Sequence, residues 1–231
     1  SFDPTHADHA FICRNTPMNA DLFPDTLAAR EALAPGAVLL RAFALGDAQA
    51  LLAAVADVTA CAPFRQMQTP GGQTMSVAMS SCGERGWISD RRGYRYSPAD
   101  PQTGQPWPPM PALLNDLARR AAAEAGFADF APDACLINRY LPGCRMGLHQ
   151  DRDEADLSQP IVSVSLGLPA TFLFGGLARG GRPLRLPLVH GDVVVWGGPA
   201  RLHFHGIAPL AEGSHPATGN CRVNLTFRRA A

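Results

Sequence analysis

The sequence predicts a mainly β chain of the α+β class: a sandwich or jelly roll preceded by an α/β lobe. Three observations predict it. Seven short β-rich runs follow Asp133 at regular spacing, with Gly, Pro and Asp between them, which is the pattern of strands joined by turns. The two clear helical stretches both precede that point. And 46% hydrophobic against 17% charged residues can bury a core. A length of 231 residues suits one domain with an appended lobe.

Taken in order, residues 1–36 are polar, Pro-containing and acidic. Residues 1–18 read as a disordered or vestigial extension, upstream of a natural start at Met18. Residues 37–43 (AVLLRAF) read as a strand, and 47–60 (DAQALLAAVADVTA) as a helix opening at Gly46 or Asp47. Pro70-Gly71-Gly72 is a turn between strand candidates 65–69 and 73–80. Residues 81–109, rich in Gly, Pro and Tyr, read as one long irregular segment, unusual unless functional. Residues 111–125 form the clearest helix, with Pro111 near its first turn and Gly126 past its end. Then come ACLINRY, IVSVSLGL, TFLFG, PLRLPLV, DVVVWG, RLHFHGI and CRVNLTFR. The expected organisation is therefore an N-terminal α/β lobe over 19–132 and a β core over 133–231.

Several classes are excluded. The 20 basic residues, all Arg, balance 20 acids, so the chain is no histone-like polycation. It has no apolar run of about 18 residues to span a membrane. Its first residues lack the basic and apolar regions of a signal peptide. Six Cys are scattered without a Cys-x-x-Cys pair, which indicates reduced thiols and a cytoplasmic location.

The chemistry-bearing residues begin with His149-Gln150-Asp151. On a strand, residues i and i+2 share a face, so His149 and Asp151 can share a metal. The pattern is cheap: His6/Asp8 and His190/Asp192 repeat it. Context separates them. His6 and Asp8 lie in the tail. Gly191 makes the second a turn, where Asp192 serves backbone N–H groups. His203-Phe204-His205 follows Asp151 by up to 54 residues, room for strands to return a third ligand and leave the open positions of a two-His-one-carboxylate site.

A second constellation is Arg222-Val223-Asn224-Leu225-Thr226-Phe227-Arg228. On a strand, Arg222, Asn224, Thr226 and Arg228 project to one face. That face suits a dianion, since each guanidinium holds a carboxylate bidentately. The alternative is an edge strand with a solvated face. Asn138 and Tyr140 share a face in the same way, with ordinary cross-strand packing as the plainer reading.

The joint order, Asn-x-Tyr, His-x-Asp, distal His, Arg-x-Asn-x-Thr-Phe-Arg, resembles the AlkB family of iron(II)- and 2-oxoglutarate-dependent dioxygenases. Supporting stretches are PFRQMQTPGGQTMSVAMSSCG, YSPADPQTG, PDACLINRY, HQDRDE, IVSVSLGLPA, HGDVVVWGG and NLTFR. The likeness covers roughly residues 20–229.

The resemblance implies a double-stranded β-helix under an N-terminal nucleotide-recognition lid at about 65–99. It implies Fe(II) held by His149, Asp151 and His205, the last because it precedes Gly206-Ile207; His203 is the competitor. Arg222 and Arg228 would hold the carboxylates of the cosubstrate 2-oxoglutarate, with Asn138, Tyr140 and Asn224 adding hydrogen bonds. With O2, the reaction hydroxylates an N-methyl group of 1-methyladenine or 3-methylcytosine, releasing formaldehyde and succinate. The base must be flipped out. Trp87 would stack on it opposite the His149 ring, Asp153 would meet its amino edge, and Tyr94 and Tyr96 would contact the nucleotide backbone. Arg179 would lie near the base; Thr69 and Met79 belong to the lid. The partner would be single-stranded or locally opened DNA, or RNA, met by a monomer with no membrane contact. Arg152 stands where a close relative has Lys, and Gly180-Gly181-Arg182 makes the loop after Arg179 looser and more basic.

Two other functions compete. One is an oxygenase of the same fold acting on a protein or small molecule, against which the lid stands. The other is a non-catalytic jelly roll binding a metal or carboxylate, against which a triad with open positions stands. The zero net charge is also uneven. Residues 65–99 carry five Arg against two acids, 157–231 seven against two, and 1–64 three against seven. A basic lid and core offset by an acidic leader suit modest, salt-sensitive strand binding.

Overall fold

The computed structural model describes residues 29–231. The expected extension 1–18, and with it His6 and Asp8, lies outside the described residues. The N-terminal part supplies β1 (Arg30–Ala34), β2 (Ala37–Leu40), helix α1 (Ala48–Cys61), β3 (Arg65–Gln68), β4 (Thr74–Gly83), β5 (Gly86–Asp90), β6 (Gly93–Ser97) and helix α2 (Ala112–Glu124). The C-terminal part supplies β7 (Ala134–Tyr140), β8 (Met146–His149), β9 (Ile161–Gly167) and β10 (Ala170–Phe174). It continues with β11 (Leu184–Leu188), β12 (Val193–Trp196), β13 (His205–Ile207) and β14 (Arg222–Arg228).

An eight-stranded antiparallel sheet has the order β1-β2-β12-β9-β14-β7-β4-β3. A four-stranded sheet, β11-β10-β13-β8, faces it, and β5-β6 form a separate hairpin. This is the expected jelly roll. Strands from both sides of residue 133 share the large sheet: β1 and β2 extend one edge, β3 and β4 the other.

Alternation along β14 and β9 explains the layering. Val223, Leu225, Phe227, Val162 and Val164 point toward the helices, where α1 contributes Leu51 and Val55 and α2 contributes Leu114 and Leu117. Those helix positions recur at the three- and four-residue spacing of one helical face. The opposite face of the large sheet packs Leu136, Tyr140, Ile161 and Trp196 against Phe172, Phe174 and Ile207 of the small sheet. The Arg/Asn/Thr face of β14 is turned into that inter-sheet space. β14 is central, flanked by β7 and β9, and every one of its residues is buried; the solvated-edge alternative is ruled out.

Three expectations are corrected. Residues 81–109 are not one irregular segment. β4 runs on to Gly83, and β5 and β6 pair from Gly86↔Ser97 to Asp90↔Gly93 across an Arg91-Arg92 turn. Gly93 there has φ +116°, a conformation natural only to glycine. The hairpin lacks an apolar stripe because its packing partner is local: Ile88 meets Trp107, and the same ring lies where a side chain at position 86 would stand. Second, β1 occupies sequence that reads as part of a polar leader; it is an edge strand with half-exposed residues. Third, β8 ends at His149, so Asp151 follows the strand instead of alternating along it. RLHFHGI likewise becomes strand only at His205.

The described cysteines are free. No helix among the described residues is long and apolar enough to cross a membrane.

Candidate active site

His149 on β8 and His205 on β13 are directly paired across the small sheet, and their ring centroids are 4.4 Å apart. Asp151, two residues past the strand end, brings Oδ1 to 3.6 Å from His149 Nε2 and Oδ2 to 3.7 Å from His205 Nε2. One ligand atom from each of the three lies within 4.8 Å of the others. Both rings are aimed by backbone carbonyls: His149 Nδ1 donates to Gly147 O at 2.8 Å and His205 Nδ1 to His203 O at 3.0 Å. A carbonyl can only accept, so each Nδ1 carries a proton and Nε2 is the atom each ring turns toward Asp151 and offers to a metal. Burial, with His149 adding to it, pushes His205 down to about 3, so it is a neutral ligand across the physiological range. His203 is outside this cluster. Its Nδ1 is buried without a partner beside Phe174, and its contribution is the carbonyl that aims His205.

Asp151 is held by Arg228, whose Nε and Nη2 reach Oδ2 at 2.9 and 2.7 Å. Burial would raise this carboxyl, but Arg228 above all outweighs it and holds the group well below the usual carboxylate range. Oδ1 stays free to meet a metal. Two imidazoles and one carboxylate oxygen on one side fit a divalent iron that keeps other positions open.

Beside the triad is a pocket of about 60 Å³ lined by Asn138, Tyr140, Ser163, Arg222, Asn224, Thr226 and Arg228. Asn138 and Asn224 are cross-strand partners and bond at 3.2 Å, as Tyr140 and Arg222 are partners and stack at 5.1 Å. Asn224 also donates to Ser163 Oγ and Val164 O at 2.9 Å, and Arg222 Nη2 to Ser165 Oγ at 3.0 Å. Arg222 is wholly buried, yet its Nε and Nη1 meet no protein partner, nor does Asn138 Oδ1. A buried guanidinium with no counter-ion costs several kcal/mol, so this pocket fits a carboxylate ligand. Arg228 lines the same pocket while its Nε and Nη2 are engaged by Asp151.

The pocket adjoins a larger cleft of about 580 Å³, with Leu136, Met146, His149 and Arg228 in both walls. Trp87, Tyr94, Tyr96, Met79, Asp153 and Arg179 line the cleft. Trp87 and Tyr94 stack at 5.5 Å and 12°, and Trp87 Nε1 donates to Asp153 Oδ2 at 2.9 Å. Arg179 donates to Leu148 O at 3.1 Å. Tyr96 turns inward, its hydroxyl donating to Glu154 at 2.8 Å. Thr69 is not in the cleft wall; its hydroxyl caps the turn before β4. Sequence reasoning missed Glu154 and Arg201, both buried. An acid in the run Asp151-Arg152-Asp153-Glu154 gives no sign of burial.

A second histidine pair lies outside both cavities. His190 and His215 have ring centroids 4.4 Å apart. Asp192, in the same turn, accepts from the backbone N–H groups of Ala42 and Val189 at 3.0 Å, as its turn position predicts.

A jelly roll with a two-His-one-carboxylate cluster beside an unpaired buried arginine defines a class of oxygen-using enzyme. The chain belongs to the 2OG-Fe(II) oxygenase superfamily, whose family model matches residues 36–228, and within it to the AlkB dioxygenases. Alpha-ketoglutarate-dependent dioxygenase AlkB of Escherichia coli (strain K12) is 60% identical over 210 residues, covering 91% of this chain and 97% of the relative. Further off, the DNA N(6)-methyladenine demethylase ALKBH1D of Arabidopsis thaliana is 32% identical, covering 84% of this chain and 49% of that protein. The solved structure of OsALKBH1 superposes with a TM-score of 0.76 at 29% identity, over 87% of this chain and 99% of that one. The chain is an Fe(II)- and 2-oxoglutarate-dependent dioxygenase.

Proposed function

We propose that this dioxygenase removes methyl groups from the pairing nitrogens of adenine and cytosine in DNA or RNA. The carrying observation is the wall shared by the two cavities: a seat for a dicarboxylate opens onto a cleft that holds an aromatic ring, Trp87, and an acid, Asp153. Iron(II) with 2-oxoglutarate and O2 supplies the oxidation: the cosubstrate becomes succinate and CO2, a methyl C–H becomes C–OH, and the hydroxymethyl leaves as formaldehyde.

The chain's residues do the rest. His149, Asp151 and His205 would hold the iron, both rings aimed by backbone carbonyls and His205 kept neutral by its burial. Arg222 would take a carboxylate of the cosubstrate, ending its own isolation, and Asn138, Tyr140 and Asn224 would shape the seat. Arg228 lines that seat while keeping Asp151 to one free oxygen. Trp87, stiffened by Tyr94 behind it, stacks on a flipped base whose other face meets the His149 ring. Asp153 receives the exocyclic amino group. Methylation at these nitrogens makes the base cationic, which a neighbouring carboxylate favours. Arg179 and Tyr96 complete the wall, and the lid at about 65–99 grips the strand. A flipped base comes most cheaply from single-stranded nucleic acid, so a single strand is the preferred partner, bound by a monomer in the cytoplasm.

The test is incubation with Fe(II), ascorbate, 2-oxoglutarate and single-stranded oligonucleotides bearing 1-methyladenine or 3-methylcytosine. Formaldehyde and the plain base are expected. No turnover by an iron-loaded protein overturns the proposal.

A further inference from the structure

Under the cleft, Glu154 does no work in the chemistry above, yet its side chain is only 2% exposed. It receives two hydrogen bonds and one further ion pair. Tyr96 Oη reaches Oε1 at 2.8 Å, Arg228 Nε reaches the same oxygen at 3.3 Å, and Arg201 Nη2 reaches Oε2 at 3.0 Å. Both arginines continue to Asp151: Arg228 to Oδ2, and Arg201 Nη1 to the main-chain oxygen at 2.7 Å. Tyr96 belongs to β6 of the hairpin, so one carboxylate touches the hairpin and both supports of Asp151.

We propose that Glu154 is a positioning residue that couples the β5–β6 hairpin to the orientation of Asp151. The inference rests on the iron reading of the triad. Asp151 sits past the end of β8, where no ladder hydrogen bond fixes it, so its rotation is set by Arg228. Arg228 Nε is itself shared, 2.9 Å from Asp151 Oδ2 and 3.3 Å from Glu154 Oε1. The Tyr96 hydroxyl competes for that glutamate oxygen and leaves Arg228 to Asp151. When the hydroxyl leaves, Oε1 draws Arg228 away and Asp151 is freed to rotate. The charges also balance, two guanidinium groups against two carboxylates, all nearly buried. Without the Glu154 charge, Arg201 loses its carboxylate while still holding the main-chain oxygen of Asp151, so the loosening is passed to the ligand's own backbone. Movement of the hairpin is thus felt at the metal, through side chains that touch neither metal nor base.

The experiment is calorimetric titration with Co(II), which needs no turnover, alongside amide hydrogen exchange over residues 86–97. The unsubstituted chain is expected to bind one Co(II) and Asp151→Ala none; failure of that control overturns the iron reading itself. With it passed, Glu154→Gln should weaken Co(II) by about 10-fold or more, the usual loss for an outer partner of a metal ligand, and hairpin exchange should quicken. Tyr96→Phe should weaken Co(II) by a smaller factor and should add nothing in the Glu154→Gln background, since it acts through that carboxylate. Co(II) affinity within twofold in Glu154→Gln, or a Tyr96→Phe effect that persists unchanged in the double variant, overturns the coupling. A mere packing role would lower Tm and leave Co(II) affinity alone. If Glu154→Gln does not fold, Tyr96→Phe decides by itself: weakened Co(II) supports the proposal and unchanged affinity overturns it.

Discussion

His149/His205 and His190/His215 have the same 4.4 Å ring separation and opposite chemistry. In the first pair each Nδ1 donates to a carbonyl, which leaves Nε2 as the atom offered to a metal. In the second, His190 Nδ1 accepts from Gly167 N–H at 2.9 Å and His215 Nδ1 from Ala217 N–H at 3.1 Å. Those rings must therefore carry their proton on Nε2, and a metal there would cost both hydrogen bonds. The first pair also has Asp151 across from it; the second has no carboxylate in a comparable cluster among the described residues. Proximity of imidazoles does not make a metal site. The backbone group that addresses Nδ1 decides it, and the neighbouring carboxylate completes it.

The largest break of this contrast is Asp151→Ala, which should abolish both Co(II) binding and demethylation, while His190→Gln should leave metal stoichiometry and turnover intact. Retained turnover in Asp151→Ala would remove the ligand assignment. Next in size is Arg222→Lys. Lysine cannot fill a bidentate seat, and leaving a buried charge mispaired costs about 3–5 kcal/mol, so 2-oxoglutarate affinity should fall by about 100- to 1,000-fold or more. An unchanged KM for 2-oxoglutarate would show that Arg222 is structural. Trp87→Ala should raise KM for the methylated oligonucleotide by about 10-fold, since a base–aromatic stack is worth about 1–3 kcal/mol. KM for 2-oxoglutarate should not move; a shift there would mean that the ring supports the small pocket instead.

The smallest effect tests the second pair by pH. Burial, with His215 adding to it, lowers the pKa of His190. A depressed folded-state value means the unfolded chain takes up the proton first, so stability is full above about 6.5 and declines as pH falls below it. His190→Gln should flatten the decline of Tm between pH 7 and 5 by a few degrees. The same slope in both proteins would show that the pair does not titrate with unfolding.

Much of this architecture is legible in the residues. Alternation on β14 assigns Arg222, Asn224, Thr226 and Arg228 to one face, and the structure turns that face inward. The turn at Asp192 follows from Gly191. Other parts resist reading for physical reasons. The β5–β6 hairpin shows no period-two apolar stripe because its covering residue, Trp107, lies ten residues beyond the strand it covers by hydrogen-bonding Ser97 O. Glu154 reads as solvated because its burial depends on Arg201 and Arg228, remote in sequence and brought in by folding. Asp151 reads as a strand residue, though the strand stops at His149. The resemblance named the triad; it could not say that Arg228 also engages Asp151.

The position of β14 has a consequence for how the molecule is made. It is the final strand in chain order among the described residues and lies in the middle of the large sheet, between β9 and β7. Until it is synthesised, β7 with β4 and β3, and β9 with β12, β2 and β1, are two half-sheets with unsatisfied edges facing each other. Such long-range closure is slow and leaves strand edges open to wrong partners. The same strand carries Arg222, Asn224 and Arg228, so the small pocket proposed as the cosubstrate seat cannot form on a partly synthesised chain. A nascent chain lacking β14 also lacks Arg228, the group that holds Asp151, so neither the triad nor the pocket beside it is complete until the sheet has closed.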